Sequence, residues 1–244
     1  QEIMVKASNP NYEDSIATTT ITIEAKEISI TVDPASKTYG EEDPVFTGKV
    51  EGLVHEDDLG EITFIRTNPE ENGAGTYEGV ITAAYTENPN YKVNVVPADF
   101  TIEKATMTVE VESFRGPYDG EEHTPVVTPE VTEGTTITYS TDGGRTWTET
   151  APSITDAGKI EYLVKVENPN YEDVIEEATL EVTKKKVTIT VDPASKVYGE
   201  DDPVFTGHVE GLVDEGDLGE VTFRRTNPGQ NDAGNYPGVI RADY

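Results

Sequence analysis

The sequence predicts an all-β fold: a tandem series of small antiparallel β-sandwich units in an elongated array. Three observations carry this. Residues 31–85 recur at 190–244 at a shift of 159 with no gap, and 41 of the 55 aligned pairs are identical. A fixed internal period of this kind marks a tandem array of small units. Short runs such as Ile28–Val32, Val109–Val111, Ile137–Tyr139, Ile160–Val166, Leu180–Val182 and Val187–Val191 alternate apolar with polar residues. Period two in runs rich in Val, Ile, Thr and Tyr is the half-buried strand signal. Turn pairs separate the runs: Asp33-Pro34, Tyr39-Gly40, Asp43-Pro44, Asn72-Gly73, Asp119-Gly120 and Asp142-Gly143. No stretch shows helical periodicity.

The elements follow in order. Asn-Pro-Asn-Tyr begins at Asn9, Asn88 and Asn168, in steps of 79 and 80 residues. The period of 159 therefore holds two different units, A and B, of a size that suits a small sandwich. Residues 5–25 match 164–184, and residues 1–25 read as the end of a B unit; 26–104 are an A unit, 105–185 a B unit, and 186–244 a second, truncated A. At the junctions, Phe100–Val109 and Leu180–Val191, no Gly- or Ser-rich spacer intervenes. Such a linker does not swing freely, so a semi-rigid string of units is expected. The chain starts and stops inside repeats and reads as an excerpt of a longer protein.

Composition narrows the function classes. The net charge is −30 and the pI near 4.2, which repels nucleic acid and anionic membrane surfaces. Unit A carries 6 basic and 16 acidic residues and unit B 6 and 17. Charge spread this evenly describes a solvated surface rather than one acidic site. An acidic disordered chain is the competing reading, and the regular apolar alternation argues against it. There is no cysteine, so no disulfide staples the units; this suits a bacterial cell surface and a cytosol equally. No segment has the length and apolarity of a membrane span.

The motifs bring a resemblance. Unit A opens VDPASK, continues YGEEDPVF from Tyr39, EGL from Glu51, AGTY from Ala74 and NPNY from Asn88, and closes FTIEK; its second copy repeats YGEDDPVF from Tyr198. These residues resemble the MBG domain, an all-β repeat of bacterial surface proteins and adhesin-like proteins. Unit B carries PYDGEEHTP from Pro117, STDGGRTW from Ser140 and TDAG from Thr155, and resembles the YDG-type and Ig-like repeats that accompany MBG units. The resemblance implies a non-catalytic, extracellular stalk or spacer on a bacterial, Gram-positive cell surface. The alternative is a binding module for a host glycan or an extracellular matrix protein. It also implies neighbouring repeats of the same chain as the nearest partners. It brings no catalytic residues, no cofactor and no insertion into a membrane.

Ser140–Trp147 fits the Asp-box pattern known from sialidase propellers. Its physical content is a hairpin: Asp142 accepts backbone N–H groups across the turn, Gly144 supplies positive φ and Trp147 packs beneath. One box without repeated blades makes no propeller and no glycosidase site. The acidic turns Glu41-Glu42-Asp43 and Glu200-Asp201-Asp202 make Glu42, Asp43, Asp201 and Asp202 the residues calcium could use, though neither has the alternate spacing that aims ligands inward. His55, His123 and His208 are scattered and assemble neither a triad nor a zinc site. Tyr39, Tyr77, Tyr85 and Tyr91, their recurrences Tyr198, Tyr236 and Tyr244, and Tyr12 and Tyr171 in the NPNY sites could form a sugar-stacking row, but beside turns they are expected to pack inward with bonded hydroxyls. Phe46 and Phe205, each after an Asp-Pro turn, are expected to be buried. A Lys–Asn isopeptide crosslink would suit a stalk without cysteine, but the sequence alone does not single out its lysine, asparagine and acid.

Overall fold

The computed structural model describes residues 1–244. Its contacts divide the chain into two compact units, one of residues 1–106 with 169–172 and one of residues 107–168 with 173–244.

The first unit begins with a hairpin of β1 (Glu2–Asn9) and β2 (Tyr12–Thr20), exposed along its whole length. The A repeat follows as β3 (Lys26–Val32), β4 (Ala35–Thr38), β5 (Gly48–Glu51), a single 3-10 turn (Glu56–Leu59), β6 (Thr63–Arg66), β7 (Gly75–Ala84), β8 (Tyr91–Val96) and β9 (Ala98–Glu103). The strands make two layers, ordered β5-β3-β8 and β4-β9-β7-β6. Alternation along β3 buries Ile28, Ile30 and Val32, and along β9 it buries Ala98, Phe100 and Ile102. One core cluster gathers about Ile81, Phe100 and Ile102, the other about Ile30 and Leu59, and Phe64 and Val95 pack against both.

The pairing corrects one expectation. The sheets are mixed rather than purely antiparallel, because β3 runs parallel to β8 and β4 parallel to β9. Thr31 pairs with Val96 and Ala35 with Phe100, an offset of 65 in both sheets (96 − 31 and 100 − 35). The first and last strands of the repeat thus travel together and change sheets together. Proline marks the change on each: Pro34 between β3 and β4, Pro97 between β8 and β9. Proline has no N–H for a ladder, so the strand leaves one sheet there and joins the other. Asp33-Pro34, which reads as a turn in sequence, is a crossing between layers with no reversal. Gly48 is required at its position in β5: a Cβ there would meet the Phe64 ring and, at 2.7 Å, the Thr31 carbonyl.

The second unit holds the B repeat apart from residues 105–106 and 169–172; its strands are β10 (Val109–Glu112), β11 (Phe114–Pro117), β12 (Val126–Pro129), β13 (Thr136–Ser140), β14 (Gly158–Asn168) and β15 (Tyr171–Thr183). Its sheets are β10-β12 and β11-β15-β14-β13. Here it is the second strand, β11, that runs parallel to the last, β15. Tyr162, Val164, Val166, Leu180 and Val182 form its buried row. The second A copy follows with β16 (Thr188–Val191), β17 (Gly207–Glu210), β18 (Thr222–Arg225) and β19 (Ile240–Asp243), paired β16-β17 and β18-β19. Tyr244 is the counterpart of Tyr85, and residues 186–244 hold no counterpart of β8 or β9.

Candidate functional site

The most built cluster of polar groups lies under the YGEEDP turn. Gly40, at φ 87°, reverses the chain after β4. Glu41 closes the reversal: its N–H donates to the Thr38 carbonyl at 3.1 Å, and its carboxylate accepts the Thr38 N–H at 3.0 Å. That aims Asp43 back over β4 and β6. Its Oδ1 lies 2.8 Å from Lys37 Nζ, and its Oδ2 lies 3.0 Å from Arg66 Nε. Lys37 and Arg66 are nearly sealed, with side chains 7% and 3% exposed. The Arg66 guanidinium lies 4.7 Å from the centroid of the Phe100 ring, a cation–π contact, and Phe46 meets that ring edge-on at 5.6 Å. Asn72 completes the hub. Its Oδ1 accepts from Lys37 Nζ and from Arg66 Nη2, both at 3.1 Å, and its Nδ2 donates to the Pro69 carbonyl at 3.0 Å.

The second copy repeats the hub with Lys196, Asp202, Arg225 and Asn231. Lys196 Nζ lies 2.7 Å from Asp202 and 2.9 Å from Asn231 Oδ1. Arg225 reaches Asp202 at 2.8 Å. The hydrogen bond from Lys196 holds the Asp202 carboxyl below its ordinary range, with Arg225 adding to the effect. Here the cluster lines an open groove of about 390 Å³ with Tyr198, Phe205 and Tyr236, where Phe100 stands in the first copy.

Each residue singled out in the sequence now has a place. Asp43 and Asp202 are already neutralised by two cations apiece, which leaves little negative charge for calcium. Glu42 and Asp201 stand exposed at the turn. No group of three acidic or histidine side chains is arranged to hold a metal ion. Phe46 and Phe205 are half-buried rather than buried: they cap the edge of the core instead of filling it.

The Tyr77 hydroxyl donates to the Gly73 carbonyl at 2.9 Å. The Tyr91 hydroxyl accepts the Val54 N–H at 3.0 Å and donates to Asp58. That bond lowers the Asp58 carboxyl and raises the Tyr91 phenol. Residues 169–172 belong to the first compact unit. There Tyr171 meets Tyr39 edge-on at 5.5 Å, and Asn170 Oδ1 accepts the Ala74 N–H at 2.9 Å. Tyr198 has no such neighbour and is 73% exposed.

The Asp-box is a closed turn. Asp142 Oδ1 accepts the Ser140 hydroxyl at 2.8 Å and the N–H groups of Arg145 and Thr146 at 2.9 and 3.0 Å; its Oδ2 accepts the Thr146 hydroxyl at 2.7 Å. These bonds, led by the Thr146 hydroxyl, bring its pKa to about 2. Trp147 packs beneath, its ring 5.2 Å from Lys165 Nζ. His123 stacks on Phe114 and bonds Asp119.

Sequence reasoning missed Lys37, Arg66 and Asn72. A signal was present, since all three are identical in the second copy, but so are 41 of 55 positions there, and repetition alone does not rank them.

The family profile that matches the chain is the MBG domain (YGX type), over residues 28–101 and 187–242. The chain belongs to the MBG domain family. The matched segments hold both hubs, and the Tyr-Gly of the family's description is Tyr39-Gly40 and Tyr198-Gly199 here. MBG domains are repeats of bacterial surface proteins, and they are a non-enzymatic domain type. Residues 102–186, which include the whole B repeat, are not matched by this profile. No curated protein matches the chain. Among solved structures, the crystal structure of the human desmocollin-1 ectodomain aligns at 10% identity and a TM-score of 0.24, over 94% of this chain and 55% of that one; the chain thus spans about half of that ectodomain's length. No helix of the MBG chain is long and apolar enough to cross a membrane.

Proposed function

We propose that this chain is a stalk or spacer region of an adhesin-like protein on a Gram-positive bacterial surface, with YDG/Ig-like B repeats alternating between the MBG units. One observation carries the reading: the first and last strands of the A repeat run parallel at a constant offset of 65 through both sheets. A repeat built this way receives the chain at one pole and releases it at the other. The run from Lys26 to Thr38 spans about 40 Å at the rise of a strand. An antiparallel pair of terminal strands would return the chain to the pole where it started. The rings of Tyr39, Tyr77, Tyr91 and Tyr171 are engaged within the fold, which favours a spacer over a sugar-stacking surface.

Small-angle scattering on the 244-residue chain tests the proposal. A compact chain of this length has a radius of gyration of about 18 Å. Three units in line, with centres roughly 35 Å apart, give about 30 Å. The larger value is expected, and a measured value near the smaller one would remove the stalk reading.

A further inference from the structure

We propose that Lys37 and Asn72 join covalently, through an amide between Lys37 Nζ and Asn72 Cγ, with Asp43 as the proton carrier. The three groups meet where such a bond needs them. Lys37 Nζ lies 3.1 Å from Asn72 Oδ1 and 2.8 Å from Asp43 Oδ1, so the amine is in reach of the amide carbon and of a base at once. Arg66 Nη2 donates to the same Asn72 Oδ1 at 3.1 Å, the atom on which negative charge develops when the carbon is attacked. Asn72 Nδ2 donates to the Pro69 carbonyl at 3.0 Å, which fixes the plane of the amide and its leaving nitrogen. The Lys37 side chain is 7% exposed, and with Phe100 and Phe46 beside the hub water has little access to compete for the amine.

The reaction balances without a co-reactant. One proton passes from the Lys37 ammonium to Asp43, and the neutral amine attacks Cγ. The N–C bond forms as the carbonyl electron pair moves to Oδ1 beside Arg66. Asp43 delivers its proton to Nδ2 and takes a second one from Nζ. The carbonyl reforms, the C–Nδ2 bond breaks and ammonia leaves, carrying the last proton away as ammonium. No oxidation state changes. The product ties β4 to the loop that follows β6, 35 residues apart (72 − 37), in a chain that has no disulfide to do so.

Mass spectrometry of the full chain under denaturing conditions, followed by proteolysis and fragmentation, tests this. The expected result is a branched peptide that joins the Lys37 and Asn72 segments and is lighter than their sum by one ammonia, about 17 Da. Cyclisation of Asn72 onto Gly73 or of Gln1 loses the same mass but leaves linear peptides, so the branch decides. Lys37→Arg keeps the cation beside Asp43 but has no primary amine to form this bond, and the branched peptide should vanish from it whether or not the variant folds as well. Asp43→Ala should strongly reduce the branch with both reacting residues present. A folded wild-type chain that yields only linear peptides at Lys37 and Asn72 overturns the proposal.

Discussion

The two A copies share 41 of 55 residues over 31–85 and 190–244, yet their hubs differ in environment. In the first, Phe100 roofs the ion cluster, and Lys37 and Arg66 are 7% and 3% exposed. In the second, no strand stands where β8 and β9 do, the groove is open, and Lys196 and Arg225 rise to 20% and 10% exposed. The backbone responds as well. Ala35–Thr38 is a strand paired with β9, whereas 194–197, three of whose four residues are the same, forms none. The ten-residue β7 shrinks to the four of β19. A strand is therefore not a property of its own residues alone: its ladder needs a partner to accept and donate. The ion cluster behaves differently. Lys196, Asp202 and Asn231 keep their contacts without the roof, because the turn beginning at Tyr-Gly aims the aspartate locally. The YGX motif builds the hub, and the last strand of the unit seals it.

The largest test removes the seal. Phe100 is fully buried, and Phe100→Ala should destabilise the first copy by about 3–5 kcal/mol, the range for a large buried aromatic. Hydrogen exchange resolved by segment should then show residues 35–38 approaching the protection of 194–197. Unchanged protection there would mean that the roof does not hold β4 in place.

A smaller effect is expected from the hub itself. Asp43→Asn leaves Lys37 and Arg66 facing each other with no anion between them. The cost should be about 2 kcal/mol, below that of a fully buried pair because the Asp43 side chain is 28% exposed. Asp202→Asn should cost less, since water reaches the second hub. Equal losses, measured by urea denaturation of the two variants, would break the contrast between the copies.

The B repeat supplies the smallest effect and a control. Its Asp142 network is complete within the seven residues 140–146. The folded pKa of about 2 lies below the ordinary 3.8; the unfolded chain therefore binds the proton more readily. The stability that Asp142 contributes is full above about pH 4 and is lost as pH falls through about 2. Protection of the Arg145 and Thr146 amides should fall across that window in the wild-type chain but not in Asp142→Asn. A pH response that survives the substitution would assign it to another carboxyl.

Much of the architecture was legible because it is local or periodic. Alternation along Ile28–Val32 and Ile160–Val166 gave β3 and β14, and Ser140–Trp147 gave its hairpin, since each depends on neighbours a few residues away. The acidic turn was legible as a turn and misleading as a site. Nothing in Glu-Glu-Asp-Pro tells which carboxylate meets a cation, because Lys37 and Arg66 arrive from strands on either side of it. The half-burial of Phe46 was illegible for the same reason: Phe100, the ring it caps, comes from 54 residues later (100 − 46).

The sequence by itself determined an all-β chain, its repeat period, the membership of its A units in a surface-protein family and the chemistry of its short turns. All of these follow from periodicity and from contacts near in the chain. Only the tertiary structure decided that first and last strands run parallel, that paired prolines carry both strands across from one sheet to the other, and that Lys37, Asp43, Arg66 and Asn72 meet. Each of these is a long-range pairing. Its energy comes from the partner strand and the water that strand excludes, and no single segment encodes it.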